Sequence, residues 1–319
     1  MSEKKIAIFP ASGKLGGSTY NHLLKLVDPK DVILISRNPD KNEPKLKEAG
    51  VTTRAADYDK PETLEHAFDG ASELMLISYA SIEHEHRYNA HKAAIDAARR
   101  SSVTHVTYSS LAFGGDCKPF SHAFVLQAHL DTERYLAMLA SEDKSFTYTA
   151  IREGLYSESY PLYTAFFDIA NPVAEIKIPH DGSRPGIAWA KIDELGEATA
   201  KLVAQHAKAP GGYELLNKTV LLSGPRVWTL AESVQAIAKE LGKPVVIRKV
   251  SVDEYVNQPS VQSAMTYGSG NMAKDWATVF EAIQAGETAV VSPLLAKVLG
   301  REPEPFDKTV RGLIAGLKK

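Results

Sequence analysis

The sequence predicts an α/β fold in which a doubly wound, mostly parallel sheet occupies about the first half of the chain and a smaller mixed α/β lobe follows. Short apolar runs alternate with segments whose apolar residues recur at helical spacing. The runs are almost continuously apolar, which is typical of parallel strands covered on both faces. The first run leads directly into a glycine-rich turn. The predicted strands are 6–9, 31–36, 51–56, 73–77, 103–108 and 145–151.

The composition limits the class of protein. The 319 residues suffice for one large or two modest domains, and a net charge of −2 with 24% charged residues does not indicate a basic surface for nucleic acid. No apolar run approaches the roughly 20 residues that span a bilayer. The single cysteine, Cys117, indicates a reducing compartment, and residues 1–5 leave no room for a signal peptide. We therefore expect a cytoplasmic protein that binds neither nucleic acid nor membrane.

The glycine-rich turn predicts a phosphate-binding site. A strand, a tight turn and a helix in this order direct N–H groups of the helix N-terminus toward a phosphate. Gly13 lets the backbone approach a pyrophosphate, and Gly16 lets the helix pack closely on the strand. Pro10 stands where a dinucleotide fingerprint has its first glycine and lacks an N–H, so an ordinary strand-to-helix turn is the alternative. The candidate residues are Pro10, Ser12, Gly13, Lys14, Leu15 and Gly16.

The end of the second strand predicts which dinucleotide is bound. An acidic residue there binds the ribose 2′-hydroxyl of NAD, whereas an arginine accommodates the 2′-phosphate of NADP. Residues 32–39 contain no carboxylate, and Arg37 stands where the phosphate is expected. Lys14 and Lys41 add positive charge nearby. We predict NADP as the cofactor, and the alternative is a solvated arginine at a strand end.

The carboxyl ends of the next strands supply further candidates, because ligands of an open α/β sheet lie outside these ends. Asp57 is a candidate acceptor for the adenine amino group, and Tyr58 is a candidate for flanking the adenine ring. The N-terminal cap of a helix predicted over 61–68 is another explanation for both. The candidates at the ends of the fourth and fifth strands are Ser78, Tyr79 and Ser109.

Two patterns on the predicted helices bear on catalysis. After the fifth strand, Val125 and His129 stand where a short-chain dehydrogenase has its catalytic tyrosine and lysine. His129 is a candidate for binding the nicotinamide ribose or moving a proton near neutral pH; the alternative is a structural histidine that bonds a loop carbonyl. Tyr88 and Lys92 have the tyrosine–lysine spacing but follow the fourth strand, so we reject them. That helix also carries histidines without the spacing of a zinc site, so no metal is predicted; they are His84, His86 and His91.

The segment after the sixth strand is expected to line the reactive part of the cleft. Gly154 permits close backbone approach to the nicotinamide, and Leu155 is a candidate cofactor contact. Tyr156 is a candidate for proton donation or for a wall beside the substrate. The alternative is an ion pair between Arg152 and Glu153, with Tyr156 in the core.

These motifs occur in the order and spacing of a known family. The matching segments are 6–8, 11–16, 37–39, 56–58, 108–111, 129, 132–133, 152–158, 228–230 and 299–303. The chain resembles the NmrA-like family of atypical short-chain dehydrogenases, and within it the type 2 NAD(P)H:quinone oxidoreductases. The resemblance implies a Rossmann domain that binds NADP(H) and a smaller C-terminal region that closes over it. The family includes quinone reductases, non-catalytic redox sensors and proteins that act on aromatic and polyketide metabolites.

We predict a Rossmann domain over 1–155 and a smaller substrate-side lobe over 156–319 that does not fold independently. The prediction leaves open that some segments of this lobe belong to the Rossmann core. Asp193 and Thr229 are predicted helix caps. The predicted strands of the lobe are 174–179, 213–216, 219–222 and 245–250. Candidates for an aromatic wall around a planar substrate, or for ordinary core positions, are Tyr163, Phe166, Phe167, Trp189, Tyr267 and Trp276.

The function that these observations favour is the NADPH-dependent reduction of a quinone or a similar conjugated carbonyl by direct hydride transfer. The missing tyrosine–lysine pair argues against ordinary alcohol dehydrogenase chemistry, but a reduced quinone can take its proton from solvent. One alternative is a non-catalytic NADP(H)-binding regulator, and another is a dehydratase or isomerase of an aromatic or polyketide metabolite. We expect a small-molecule substrate and, as protein partners, a second copy of the chain or a regulatory protein.

Overall fold

The computed structural model describes residues 5–39 and 44–317, so the predicted contribution of Lys41 lies outside the described residues. The strands are β1 (Lys5–Phe9), β2 (Val32–Ser36), β3 (Thr52–Ala55), β4 (Ala71–Ile77), β5 (His105–Leu111), β6 (Thr147–Glu153), β7 (Glu175–Ile178), β8 (Lys218–Leu222), β9 (Val246–Lys249), β10 (Thr266–Tyr267) and β11 (Gly270–Asn271). The helices are α1 (Gly13–Leu23), α2 (Pro44–Glu48), α3 (His84–Arg100), α4 (Phe124–Glu142), α5 (Ile192–Lys208), α6 (Leu230–Leu241), α7 (Val252–Val256), α8 (Pro259–Met265), α9 (Ala273–Gln284), α10 (Leu294–Leu299) and α11 (Phe306–Leu317).

The main sheet has seven strands in the order β3-β2-β1-β4-β5-β6-β8, and every neighbouring pair is parallel. The sheet grows in one direction from β1 to β3 and in the other from β4 onward. This topological switch point between β1 and β4 is where an open α/β sheet binds its ligand, outside the carboxyl ends of the strands. The predicted fold class is confirmed.

Both faces of the sheet are covered, which explains the continuous apolar character of its strands. Alternate residues of β1 point to opposite faces. Ala7 and Phe9 belong to the core under α3 and α4, whereas Ile6 and Ile8 belong to the core under α1 and α5. All four are almost fully buried. The first strand is therefore fixed on both sides, and the turn that follows it is held firmly.

The predicted boundary at residue 155 does not coincide with the edge of the sheet. Helix α5 packs against α1, and β8 pairs with β6 from Thr149 opposite Lys218 to Glu153 opposite Leu222. Both elements come from the predicted lobe, as the prediction allowed. The remaining lobe contains the parallel pair β7 and β9 and most of the later helices, around a buried core that includes Trp189 and Phe306.

Several local predictions were wrong for identifiable reasons. The helix expected over 61–68 is a short 3-10 helix, Pro61–Leu64, because His66 takes a left-handed conformation (φ 63°). The strand expected over 213–216 does not form, since the Tyr213 ring packs beside two histidines and the chain reaches the edge of β6 only at Lys218.

The two predicted helix caps have different outcomes. Lys191, rather than Asp193, is the N-cap of α5, and the Asp193 carboxylate instead accepts a hydrogen bond from Ser18 on α1. Thr229 caps α6 with a complete capping box that includes Glu232, as its sequence position predicts. None of the helices in the described ranges is long and apolar enough to cross a membrane.

Candidate functional site

A cleft of about 840 Å³ lies outside the carboxyl ends of β1, β4, β5 and β6. Its walls come from both the sheet and the lobe. All residues predicted for the site from the sequence line this cleft: Pro10, Ser12, Gly13, Lys14, Leu15, Gly16, Arg37, Asp57, Tyr58, Ser78, Tyr79, Ser109, His129, Leu155 and Tyr156. Residues that are far apart in the chain are therefore brought together at the switch point.

The N-terminus of α1 faces the cleft with unused donors. The first N–H groups of a helix have no acceptor within the helix. Ser12 is the N-cap, but its side chain makes no capping hydrogen bond, and the first turn contains no acidic residue. Gly13 has a φ of 85°, which favours glycine, and a Cβ there would meet nothing within 4 Å. This end of the helix is suited to an anion.

Close packing between α1 and the turn depends on Gly16. A Cβ at this position would lie 2.6 Å from the carbonyl oxygen of Pro10. The predicted role of Gly16 in close strand–helix packing is therefore confirmed by the geometry. The next residue, Gly17, has open space around its Cα and provides a matched control.

Replacing Gly16 by alanine is expected to destabilise the protein by about 1–3 kcal/mol, because the turn or the helix must move. The same movement displaces the donors of the turn and should weaken NADPH binding. Gly17→Ala should instead stabilise α1 by about 0.5–1 kcal/mol and leave binding unchanged. Urea unfolding and calorimetric titration measure both effects. Equal NADPH affinities for the two variants would contradict the assigned role.

The positive end of the cleft is formed by Arg37 and Lys14. Both side chains are exposed, and no residue in the described ranges forms a hydrogen bond or an ion pair with either one. Arg37 follows β2 directly, so the chain direction of the sheet places it beside the phosphate-binding turn. Two unpaired cations and a helix N-terminus therefore face the same part of the cleft.

The position of Tyr58 differs from its predicted role beside the adenine. Its hydroxyl donates to the Ile77 carbonyl at 2.7 Å, and its ring packs on Phe9 with a centroid distance of 4.5 Å. Only 5% of Tyr58 is exposed. Tyr79 packs edge-on against it and is the more exposed ring, with its hydroxyl donating to Asp59. The geometry favours Tyr79 as the aromatic contact and Tyr58 as its support.

His129 lies at the centre of a buried hydrogen-bond network. Its Nε2 accepts from Arg87 Nη2 at 2.7 Å, so its proton is on Nδ1, which donates to the Tyr108 hydroxyl at 2.8 Å. Burial and the neighbouring Arg87 hold the pKa of His129 well below its usual range. A neutral imidazole with both nitrogens bonded is poorly suited to proton transfer. The geometry favours a role for His129 in positioning Arg87. Its hydrogen-bond partners are Arg87 and Tyr108, and not the loop carbonyl that was considered as the alternative.

Arg87 was not predicted from the sequence. It lies on α3 and lines the cleft, although only 6% of the residue is exposed. One feature of the sequence could have indicated its burial: Arg87 recurs at helical spacing with His91, Ala94 and Ala98, which form the buried face of α3. A charged residue on such a face is unusual.

Tyr156 presents a hydroxyl group for which the described residues provide no hydrogen-bond partner. It lines the cleft after β6, as predicted. Burial raises the pKa of this phenol, and the nearby Glu153 contributes to the rise. The group is therefore a neutral hydrogen-bond donor over the physiological pH range.

The ion pair between Arg152 and Glu153, considered as an alternative for the end of β6, does not form, because Arg152 pairs with another carboxylate. Arg152 binds Glu133 on α4 with two hydrogen bonds, Nε to Oε1 at 2.9 Å and Nη2 to Oε2 at 2.7 Å. Arg152 also donates to the Phe113 carbonyl. Gly154 is required by packing rather than by a ligand, since a Cβ would lie 2.7 Å from the Leu222 carbonyl oxygen.

Glu153 is a buried carboxyl group without a cationic partner in the described ranges. One oxygen accepts from the Thr199 hydroxyl at 2.7 Å, and the other is buried without a hydrogen bond. Burial raises the pKa of Glu153 to about 8. The group is therefore largely protonated at neutral pH.

Because the pKa of Glu153 is raised, we expect this carboxyl group to contribute less to stability as the pH rises toward 8. Its folded-state pKa is raised, so the native state retains a proton that the unfolded state has lost, and this stabilisation disappears as the pH rises through the folded pKa. Buried histidines with lowered pKa values, His91, His105 and His129, contribute the opposite slope near pH 6.5, because they are protonated only in the unfolded state. The Glu153 contribution is therefore the difference in the free energy of unfolding between the wild-type protein and Glu153→Gln. Measured by urea unfolding, this difference should shift against the wild-type protein by about 1.4 kcal/mol per pH unit between about pH 6 and pH 7.5. A difference that does not change with pH would contradict the assignment.

The far end of the cleft is apolar and aromatic. Four of the six predicted aromatic residues line it, namely Tyr163, Phe166, Tyr267 and Trp276. Phe167 and Trp189 do not, and both are buried in the core of the lobe. The Trp189 indole N–H is bonded to Ser233, and its ring packs on Phe306 within that core. The wall is suited to a planar apolar ligand.

The three histidines considered for a metal have separate partners. His84 bonds Asp131, and His86 bonds Asp59. His91 Nε2 accepts from the Tyr79 backbone N–H. Within residues 5–39 and 44–317, no group of three or more histidine, cysteine or acidic side chains is arranged to hold a metal ion.

A parallel sheet whose strand order reverses beside an uncapped helix N-terminus defines a dinucleotide-binding protein of the Rossmann type. The NmrA-like family model matches residues 2–298, and the chain belongs to the NmrA-like family. An NmrA-like family domain-containing oxidoreductase of Aspergillus flavus, FlvB, is 32% identical over 306 residues, which are 95% of this chain and 93% of that relative. Quinone oxidoreductase 2 of Escherichia coli is 32% identical over 250 residues, 78% of this chain and 79% of that protein.

Two solved structures are similar over almost the whole chain. The E. coli NADPH-dependent quinone oxidoreductase QOR2, complexed with NADPH, has a TM-score of 0.76 and 27% identity, and the match covers 97% of this chain and 99% of that one. The Citrobacter sp. triphenylmethane reductase, complexed with NADP(H), has a TM-score of 0.72 and 28% identity, with the same coverage. The predicted family and fold are confirmed, and the ligands of both structures agree with the predicted cofactor.

Proposed function

We propose that the protein is an NADPH-dependent oxidoreductase that reduces a quinone or a similar conjugated carbonyl by direct hydride transfer. The observation that carries the proposal is a single cleft with a cationic, phosphate-binding end at the switch point and an apolar, aromatic end beneath the lobe. The relatives named as oxidoreductases, two of them solved with NADPH or NADP(H), support the cofactor and the reaction class.

The residues at the cationic end fit the phosphates of NADPH. The donors of the α1 N-terminus would hold the pyrophosphate, with Gly13 giving the backbone room to approach it. Arg37 would bind the 2′-phosphate, and Lys14 adds a second positive charge. Further cofactor contacts are assigned along the strand ends to Pro10, Ser12, Leu15, Gly16, Asp57, Tyr79, Ser78, Ser109 and Leu155.

The residues at the aromatic end would orient the acceptor and exclude water. NADPH supplies the hydride when it is bound, so the chain needs chiefly to align donor and acceptor. The free hydroxyl of Tyr156 is assigned as a hydrogen-bond donor to the acceptor. His129 is assigned to positioning, because both its ring nitrogens are already bonded.

The test is oxidation of NADPH, followed by its absorbance, in the presence of a panel of quinones. We expect NADPH consumption that depends on both the protein and the quinone. Tight NADPH binding without consumption would support a non-catalytic regulator instead. Conversion of a metabolite without any change in NADPH absorbance would support a dehydratase or isomerase. Cytoplasmic location, self-association and a regulatory partner stay predictions.

A further inference from the structure

Arg87 carries a buried positive charge that no carboxylate neutralises within the described ranges. Its guanidinium donates to three neutral acceptors: the Val125 carbonyl at 3.1 Å, the Ser78 hydroxyl at 3.3 Å and His129 Nε2 at 2.7 Å. Its Nε is buried and has no hydrogen-bond acceptor in that part of the chain. A buried charge without a counter-ion is unfavourable for the folded state. A ligand that brings negative charge would compensate it.

The network behind Arg87 fixes its direction. The Tyr79 backbone N–H can only donate, so the His91 Nε2 that it meets at 2.8 Å carries no proton. The Tyr108 hydroxyl lies between His91 Nδ1 and His129 Nδ1, at 3.2 and 2.8 Å. Both histidines are neutral and buried. The guanidinium is therefore held by a neutral network that cannot cancel its charge.

The charge of Arg87 acts on the substrate end of the cleft. Arg87 lines the cleft, and its Nη1 donates to the carbonyl of Val125, a residue of the same apolar cluster as Tyr163 and Trp276 of the aromatic part. Its Nη2 donates to Ser78 at the end of β4, so the guanidinium lies where the aromatic part meets the cofactor part. The phosphate-binding end is served by a different set of cations, Arg37 and Lys14. The two ends thus have separate sources of positive charge, and only the charge at the substrate end is buried.

We propose that Arg87 is a catalytic residue that binds the carbonyl oxygen of the acceptor and stabilises the negative charge that develops there during hydride transfer. This inference rests on the proposed function. In the step, the C–H bond of the reduced nicotinamide breaks, its hydrogen and electron pair pass to the quinone, and the quinone becomes a hydroquinone monoanion. That anion then takes one proton from solvent. The substrate class is a neutral conjugated carbonyl whose reduced form is anionic on oxygen.

The experiment compares Arg87→Met and Arg87→Lys with a control on the same helix. Arg99→Met is the control, because Arg99 pairs with Asp143 outside the cleft. With menadione as the quinone, Arg87→Met should lower kcat about 100-fold, as removal of an oxyanion donor does elsewhere. NADPH affinity should stay within about threefold, and Arg87→Lys, which keeps the charge, should retain more activity than Arg87→Met.

A binding measurement separates charge recognition from turnover. In the presence of NADP⁺, 4-nitrophenolate represents the anionic product and nitrobenzene a neutral ring of similar shape. Arg87→Met should weaken 4-nitrophenolate binding about tenfold or more and leave nitrobenzene binding unchanged. Equal effects on the two probes would overturn the proposal. So would a loss of NADPH affinity that matches the loss of kcat, because Arg87 would then bind the cofactor.

The outcomes also distinguish this inference from the proposed function. If the wild-type protein reduces menadione and Arg87→Met reduces it equally fast, only the role of Arg87 is overturned. If the wild-type protein binds NADPH but reduces no quinone, the proposed function fails and the catalytic role fails with it. Higher activity of Arg87→Lys than Arg87→Met, with similar melting temperatures, would support the charge as the active feature.

Discussion

Replacing Arg37 by glutamate should weaken NADPH binding by about 10- to 100-fold and change NADH binding far less. A charge-assisted contact to a phosphate is worth about 1.5–3 kcal/mol, and every 1.4 kcal/mol is tenfold in affinity. The Arg37 side chain is exposed beside the turn, and no residue of the described ranges pairs with it, so its charge is available to a ligand. Calorimetric titration with each cofactor measures both affinities.

The matched control for this prediction is Lys25→Glu. Lys25 is exposed just beyond the C-terminal end of α1, whereas the cleft is at the N-terminal end. The substitution makes the same change in net charge without touching the cleft, so both cofactors should bind as to the wild-type protein. Equal losses of NADPH and NADH affinity in Arg37→Glu would contradict a 2′-phosphate contact.

The largest effect on stability is expected from Glu133→Gln, which should lower the free energy of unfolding by about 3–5 kcal/mol. Side chains of Arg152 and Glu133 are only 1% and 10% exposed, and they share two hydrogen bonds. Removing the carboxylate leaves the guanidinium charge buried without its counter-ion. The Ser110 hydroxyl, which also donates to Glu133, contributes to the same cluster.

Glu65→Gln is the control for Glu133→Gln. Glu65 pairs with Arg100, and both side chains are more than half exposed. Exposed ion pairs contribute about 0–1 kcal/mol, so this substitution should have a small effect. Urea unfolding of the two variants compares the same chemical change in a buried and an exposed pair. Similar losses in both would contradict the account of the buried pair.

The local features of the fold and site were predictable because they are encoded in neighbouring residues. The run Ile6 to Phe9 and the glycines at 13 and 16 identify a strand, a turn and a helix without reference to the rest of the chain. Arg37 is located by counting from the end of a strand. In a parallel sheet, strand ends meet at one edge, so residues found in this way converge on one cleft.

The features that sequence reasoning missed depend on partners distant in the chain. The partner of Arg152 is Glu133, on the preceding helix, although Glu153 is adjacent in sequence. Adjacent residues of a strand point to opposite faces, so this neighbour was a poor choice. Arg87 resembled the solvated charges around it on α3, and its burial against His129 appears only once α3 and α4 are packed together.

Calorimetric titration of the full chain with NADPH and with NADH shows whether the cleft binds a phosphorylated pyridine dinucleotide. We expect one molecule of NADPH to bind per chain, at least about tenfold more tightly than NADH. We also expect Arg37→Glu to remove most of this preference. Absence of binding by both cofactors would contradict the claim, as would equal affinities for NADPH and NADH.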